Sequence, residues 1–285
     1  MNDKTLMDKY FSERESVAIV NERMNKNIDP RLHEVMTCLV KHLHAFAKEI
    51  TLTQREWEVA IEFLTRTGQT CSDNRQEFIL LSDVLGFSML VDAISNPRPN
   101  GATESTVLGP FHVPDAPIRA MGDTICLDGK GEPCRYEGRV LDMSGKPIAG
   151  ACIDVWSDNA DGFYDVQQSG IQPQWNNRGR FITGADGSYC FYGIKPVRYP
   201  IPDDGPVGLL LKHLGRHPYR PGHMHYIVTA PGFQKLVTHT FVQDDTYLAS
   251  DAVFGVKSSL ISPFQKAEDE RKRWIAFFEF VLAPE

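Results

Sequence analysis

Asn96-Pro97-Arg98-Pro99-Asn100-Gly101 divides the sequence into two parts with different periods. Two prolines and a glycine within six residues remove backbone donors and favour turn geometry, so neither a helix nor a central strand can run through them. Upstream, Leu32, Val35, Met36, Leu39, Leu43, Phe46 and Ile50 fall on one stripe of a helix, and Asp29-Pro30 supplies a cap and a first-turn proline. A second helix is expected to begin at Thr53, with Glu56 completing a capping box, and to stop near Gly68. A third should run from about Asn74 through Phe78, Leu81, Leu85 and Leu90 to Ser95. Downstream, short apolar runs alternate with turn residues, at 135–142, 150–158, 178–184, 188–194, 222–230, 235–243 and 273–282. That spacing points to an antiparallel sandwich. The expected fold is therefore α+β, with an N-terminal helical lobe over residues 1–105 and a β-sandwich domain over 106–285.

The bulk properties narrow the possibilities. Among 285 residues, 42% are hydrophobic and 24% charged, ordinary values for a chain that buries a core. A formal net charge of -7 argues against nucleic acid, whose phosphates need a basic face. No apolar run approaches the roughly 18 residues of a membrane span, and the first residues lack a signal-peptide core, so a cytoplasmic protein is expected. Six cysteines contain no C-x-x-C pair, which gives no support to a zinc site or a redox dithiol and predicts free thiols.

The sharpest local signal is Arg220-Pro221-Gly222-His223-Met224-His225-Tyr226. On a strand, residues two apart share a face and stand roughly 6.5 Å apart at Cα, close enough for both imidazoles to reach one metal. On a helix they would diverge. Two tyrosines, Tyr164 in Asp161–Asp165 and Tyr199 in Val197–Pro202, stand in loop-like segments after expected strands. Taken alone, either the histidines or the tyrosines could simply pack and hydrogen-bond.

Linked patterns over residues 75 to 260 resemble the intradiol ring-cleavage dioxygenases. Gly138-x-Val140-x4-Gly145-x2-Ile148-x4-Ile153-Asp154-Val155-x6-Gly162-x-Tyr164 looks like the family's signature, whose last tyrosine is an iron ligand. TVLGPFHVPDAP, RGRFITGADGSYCFYGIKP and RPGHMHYIVTAPGF are similar to its substrate-wall, hairpin and histidine-ligand regions, in the same order. The resemblance implies one non-haem Fe(3+) per subunit held by Tyr164, Tyr199, His223 and His225, a donor set whose hard phenolates favour the ferric state. It implies that Tyr199 leaves the metal when an ortho-diol binds and takes a proton from it, and that O2 is then used to open the ring between the hydroxyl-bearing carbons. Arg220 would face the ring carbon where negative charge collects. Where enzymes acting on catechol typically carry a glutamine, this chain has His239, a departure that points to a donor role.

Within the family, residues 199–208 and 80–86 look most like the hydroxyquinol 1,2-dioxygenases. The resemblance then places Leu80, Asp83, Val107, Gly109, Pro110, Phe111, Ile201, Pro202 and Val253 around the substrate, with Asp83 meeting the third hydroxyl of benzene-1,2,4-triol. Catechol and chlorocatechols are the alternative substrates. The helical lobe would form a homodimer interface and could enclose a phospholipid. Rival readings are a non-enzymatic β-sandwich binding module and a zinc or ferrous hydrolase built on the H-x-H pair. His33, His42 and His44 are read as lobe or surface residues, His112, His213 and His217 have no evident constellation, and residues 266–273 read as a solvated connection.

Overall fold

The computed structural model describes residues 10–25, 27–72, 75–268 and 273–285. The chain separates into two compact units, residues 1–66 and 67–285.

The first unit contains α1 (Ser16–Glu22), α2 (Pro30–Glu49) and the start of α3 (Gln54–Thr70). The expected caps form. Asp29 accepts from the Leu32 N–H at 2.8 Å, and Thr53 and Glu56 exchange bonds in the capping box. The apolar stripe of α2 (Leu32, Val35, Leu39, Leu43, Phe46, Ile50) stays exposed. His44 bonds Ser16 within this unit. No single helix among the described residues is long and apolar enough to cross a membrane.

The second unit begins with the remainder of α3, followed by α4 (Glu77–Val84) and α5 (Phe87–Ser95). The single third helix expected from sequence is in fact two, with axes 81° apart, and Asn74 lies outside the described residues. Gly86 makes the break. Its φ of 72° is left-handed, a backbone state that ends a helix at little cost only where no Cβ is present. The apolar period runs on through Leu85 and Phe87, so it hides the break. Residues 206–213, to which the sequence reading assigned no element, form α6 (Pro206–His213), with proline in its first turn.

Two five-stranded sheets follow. One contains β1 (Pro133–Asp142), β4 (Ser188–Ile194), β10 (Phe264–Lys266), β11 (Trp274–Phe277) and β12 (Phe280–Leu282). The other has the order β3 (Arg178–Ile182), β2 (Cys152–Trp156), β7 (His223–Thr229), β8 (Leu236–Val242), β9 (Ile261–Ser262). A two-stranded ladder joins β5 (Tyr199–Pro200) to β6 (Tyr219–Arg220). The sheets are mixed, not antiparallel throughout as the sequence suggested. β1 pairs in parallel with β11 and β12, and β8 with β9. Parallel pairing needs a long crossover, and the segments between β1 and β11 and between β8 and β9 supply them, connections that hairpin-length turn spacing does not reveal. Of the run at 266–273, Lys266 ends β10, and residues 269–272 lie outside the described residues.

The core lies between the two sheets. Cys134, Tyr136 and Val140 alternate inward from β1, and Met224, Tyr226 and Val228 from β7. Each buried side chain of this size contributes about 1.5–3 kcal/mol. Because Met224, Tyr226 and Val228 take the core face of β7, strand alternation sends His223, His225 and Ile227 to the opposite face, which is also buried. That second buried face is where the candidate site forms.

Candidate metal centre

Three adjacent strands place Trp156, His225 and His239 in one cross-strand row, through the register pairs Trp156↔His225 and His225↔His239. The indole stacks on the His225 ring at 4.7 Å and 14°, and the His239 ring stands perpendicular to it at 4.1 Å. His225 is thereby clamped from both sides. His223, two residues earlier, gives its Nδ1–H to the Pro221 carbonyl at 2.7 Å, which puts the lone pair on Nε2.

Tyr164 reaches the same place from the loop after β2. Asn159 Oδ1 accepts the N–H groups of Asp161 and Phe163, and the Tyr164 N–H donates to Gln167 Oε1. The next residue, Asp165, forms a buried 2.6 Å pair with Arg178, fixing the turn. Phe111 stacks on the Tyr164 ring at 4.5 Å. Tyr199 arrives on β5, directly opposite Arg220 in the two-stranded ladder.

The donor atoms converge. Tyr164 Oη stands 2.9 Å from His225 Nε2 and 3.2 Å from Tyr199 Oη, and the two histidine Nε2 atoms are 3.1 Å apart. A cation roughly 2 Å from each donor requires donor spacings of about this size. His239 offers a third imidazole nearby, the nitrogens of the three histidines lying within 4.8 Å of one another. Among the described residues neither His239 ring nitrogen has a hydrogen-bond partner, whereas the Tyr164, Tyr199, His223 and His225 atoms contact one another directly. The Tyr2His2 set is therefore the tighter cage, with His239 behind it.

Electrostatics prepares these groups for a cation. Burial drives His223, His225 and His239 well below the usual imidazole range, so all three are neutral with a lone pair available. Burial pushes both phenols up. At Tyr199 the facing Arg220 opposes that shift, while at Tyr164 the neighbouring Tyr199 adds to it. Phenolates therefore need the charge of a bound metal, and Tyr199 is the phenol more easily ionised. Burial disfavours charge on Arg220, but the Asp251 carboxylate, Tyr199 and Tyr164 together more than offset it and the guanidinium stays protonated. Asp251 receives Arg220 Nε at 3.1 Å and Nη2 at 3.4 Å, while Arg220 Nη1 lies 3.1 Å from His223 Nε2.

The residues expected around a substrate assemble beside these donors. Leu80, Asp83, Pro110, Phe111 and Pro202 line one cavity, and Val107 and Gly109 line an adjoining one that also touches Asp83 and Pro110. Ile201 and Val253 are buried in the cluster against which Leu80 packs. Gly109, at φ 78°, passes so close to His225 that a Cβ would stand 2.9 Å from its Cε1 atom. Burial raises the Asp83 carboxyl above the usual range, with a Ser88 bond opposing.

Sequence reasoning missed four parts of the site. Trp156 was read only as a strand residue. Asp251 stands in a loop with no local pattern, and its role follows from a partner 31 positions away. His112, given no constellation from sequence, lies 3.1 Å from Asp154 and packs on Trp156. Asp158 was also missed. It is fully buried, neither carboxyl oxygen has a partner among the described residues, and burial raises its pKa well above the carboxylate range. The unfolded chain loses this proton near pH 4, whereas the folded chain keeps it, so stability falls as pH rises above about 4, by at most about 1.4 kcal/mol per unit. Asp158→Asn should raise the urea midpoint at pH 8 and change it little at pH 4.5. An equal gain at both pH values would contradict this origin.

Comparison with known proteins agrees with the geometry. The family model described as "Dioxygenase" matches residues 107–284, and "Catechol dioxygenase N terminus" matches 29–103. The chain belongs to the intradiol dioxygenase family. It is 57% identical to a hydroxyquinol 1,2-dioxygenase of Rhizobium sp. (strain MTP-10005), over 97% of each chain. It is 49% identical to a 6-chlorohydroxyquinol 1,2-dioxygenase of Cupriavidus pinatubonensis, over 98% of this chain and 99% of the other. The solved hydroxyquinol 1,2-dioxygenase of Pseudomonas putida DLL-E4 superposes with TM-score 0.90 at 45% identity, covering 96% of this chain and 97% of that one. A catechol 1,2-dioxygenase of Acinetobacter radioresistens gives TM-score 0.85 at 27% identity, covering 97% and 94%. An intradiol dioxygenase is an enzyme, which sets aside the plain binding module.

Proposed function

We propose that this dioxygenase holds one ferric ion through Tyr164, Tyr199, His223 and His225 and opens benzene-1,2,4-triol with O2 to 3-hydroxy-cis,cis-muconate, the tautomer of maleylacetate. The observation that carries the metal assignment is the convergence of two phenol oxygens and two imidazole nitrogens at 2.9–3.2 Å. Hard anionic donors favour Fe(3+) over softer or lower-charged ions. When bound, that ion would supply a Lewis-acidic, redox-active centre to which two ortho hydroxyl oxygens can chelate.

The protein's own groups do the rest. Tyr199 Oη, as a phenolate, would accept a proton from a substrate hydroxyl. Arg220 remains charged and faces the site, where it stabilises negative charge on the ring. His239 presents an unpartnered ring nitrogen as a donor to the reacting oxygens. Leu80, Phe111, Ile201, Pro202 and Val253 exclude water and hold the ring plane, and Val107, Gly109 and Pro110 close the opposite side. Asp83, a carboxyl in a mostly apolar wall, meets the third hydroxyl. The similarity to hydroxyquinol 1,2-dioxygenases supports that choice. Catechol and chlorocatechols are the second reading, supported by the likeness to a catechol 1,2-dioxygenase structure.

Oxygen uptake with the triol, catechol, 4-methylcatechol and chlorocatechols under one set of conditions tests this. The triol should give the highest kcat/KM, and catechol turnover well above it would overturn the substrate assignment. Iron analysis near one per chain, with a red-brown colour bleached by dithionite, separates this centre from a zinc or ferrous hydrolase.

The exposed apolar stripe of α2 supports a homodimer formed through the helical lobe, with an acyl chain of a phospholipid as a further occupant of that face. Size-exclusion chromatography should give twice the chain mass, and a monomer at micromolar concentration would argue against it. Six unpaired cysteines suit a reducing, cytoplasmic location.

A further inference from the structure

Arg216 stands in the turn after α6, outside the metal centre, yet it joins the elements that carry the outer wall of the substrate cavity. Its Nη1 donates to the carbonyl of Val84, the last residue of α4 and the neighbour of Asp83. Its Nη2 donates at 2.9 Å to the carbonyl of Ala252, the neighbour of Val253. The guanidinium also covers the Phe254 ring at 4.7 Å. Phe254 is held at φ 59°, and its ring lies against the α4–α5 break, where a Cβ on Gly86 would come within 3.3 Å.

The same wall is pinned at its other end. Buried Glu77, at the start of α4, accepts from the Val207 N–H in the first turn of α6 at 3.1 Å. Val84, Ile201, Val207, Leu211, Ala252 and Val253 form one buried cluster inside this frame. Asp251 ties the frame to the metal end, receiving Arg220 together with the N–H groups of Val253 and Gly255.

We propose that Arg216 is a positioning residue for substrate specificity. By bridging two backbone carbonyls it sets where Asp83 and Val253 stand relative to Arg220 and the metal ligands, and so whether a ring bearing a third hydroxyl is gripped. The planar fork of a guanidinium holds two acceptors at a fixed separation, which a single ammonium cannot do. This inference rests on the reading of Asp83 as the group that meets the third hydroxyl.

The test uses iron-loaded Arg216→Lys and Arg216→Met beside Asp83→Ala. It measures kcat and KM for benzene-1,2,4-triol and catechol, the anaerobic dissociation constant of the triol by titration calorimetry, iron content and the unfolding midpoint. In both Arg216 variants the ratio of kcat/KM for triol over catechol should fall about tenfold, the size of one lost hydrogen bond. The triol KM and anaerobic dissociation constant should rise while iron content holds. Equal losses for both substrates, or an unchanged ratio in folded, iron-loaded Arg216→Lys, overturn the proposal, because a merely structural role lowers the unfolding midpoint without moving the ratio. If Asp83→Ala leaves the ratio unchanged while the Arg216 variants lower it, the Asp83 reading fails and the positioning role of Arg216 stands with another group on the wall.

Discussion

Tyr164→Phe should reduce bound iron from about one to below about 0.1 per chain, remove the visible colour and lower ring opening by at least about 10³-fold, the scale of losing a ligand-held catalytic metal. The substitution deletes one oxygen from the middle of the donor cluster, the atom 2.9 Å from His225 Nε2 and 3.2 Å from Tyr199 Oη. It leaves the ring that stacks on Phe111 in place, so the metal-free fold should survive. Burial already disfavours the ionised phenol, and the metal-free variant should unfold within a few degrees of the metal-free parent. Metal analysis, absorbance and calorimetry read the three quantities. Stoichiometric iron with an unchanged visible band would remove Tyr164 from the ligand set.

Arg220→Met should lower kcat by about 10²- to 10³-fold while iron stays bound, because in the proposed mechanism the lost group stabilises charge on the reacting ring and is not a ligand. It should also cost about 3–5 kcal/mol of stability, since Asp251 becomes a buried carboxylate without its cation. The two effects can be separated. Adding Asp251→Asn removes the stranded charge and should recover much of the stability without recovering kcat. Urea unfolding and steady-state rates on the single and double variants check this. Full kcat in the single variant would exclude Arg220 from the chemistry, and loss of iron would show that it acts by holding His223.

The two histidines of the proposed ligand set were legible in sequence for a geometric reason. His223 and His225 are two apart on a strand, and the period of two fixes that they share a face whatever surrounds them. Tyr164 and Tyr199 could not be placed that way. Tyr164 lies in a loop and Tyr199 on a two-residue strand too short to show a period, and only the linked family pattern singled them out. Trp156, Asp158 and Asp251 carried no signal. A stacking partner, an orphaned carboxyl and an ion-pair partner are defined by neighbours distant in sequence, so no window along the chain contains the interaction.

The same division applies to the fold. Local sequence determined the helix caps at Asp29 and Thr53, the strand alternation of β1 and β7, and the switch of period at residues 96–101, because each depends on bonds and side-chain directions within a few residues. Tertiary structure decided the parallel pairing of β11 and β12 with β1, the break at Gly86 and the helix at Pro206–His213. A strand's direction beside its partner is set by how a long connection returns. A break in an unbroken apolar period, or a short helix without a local signal, persists because α4, α6 and the Asp251–Gly255 loop pack together around Val84 and Val253.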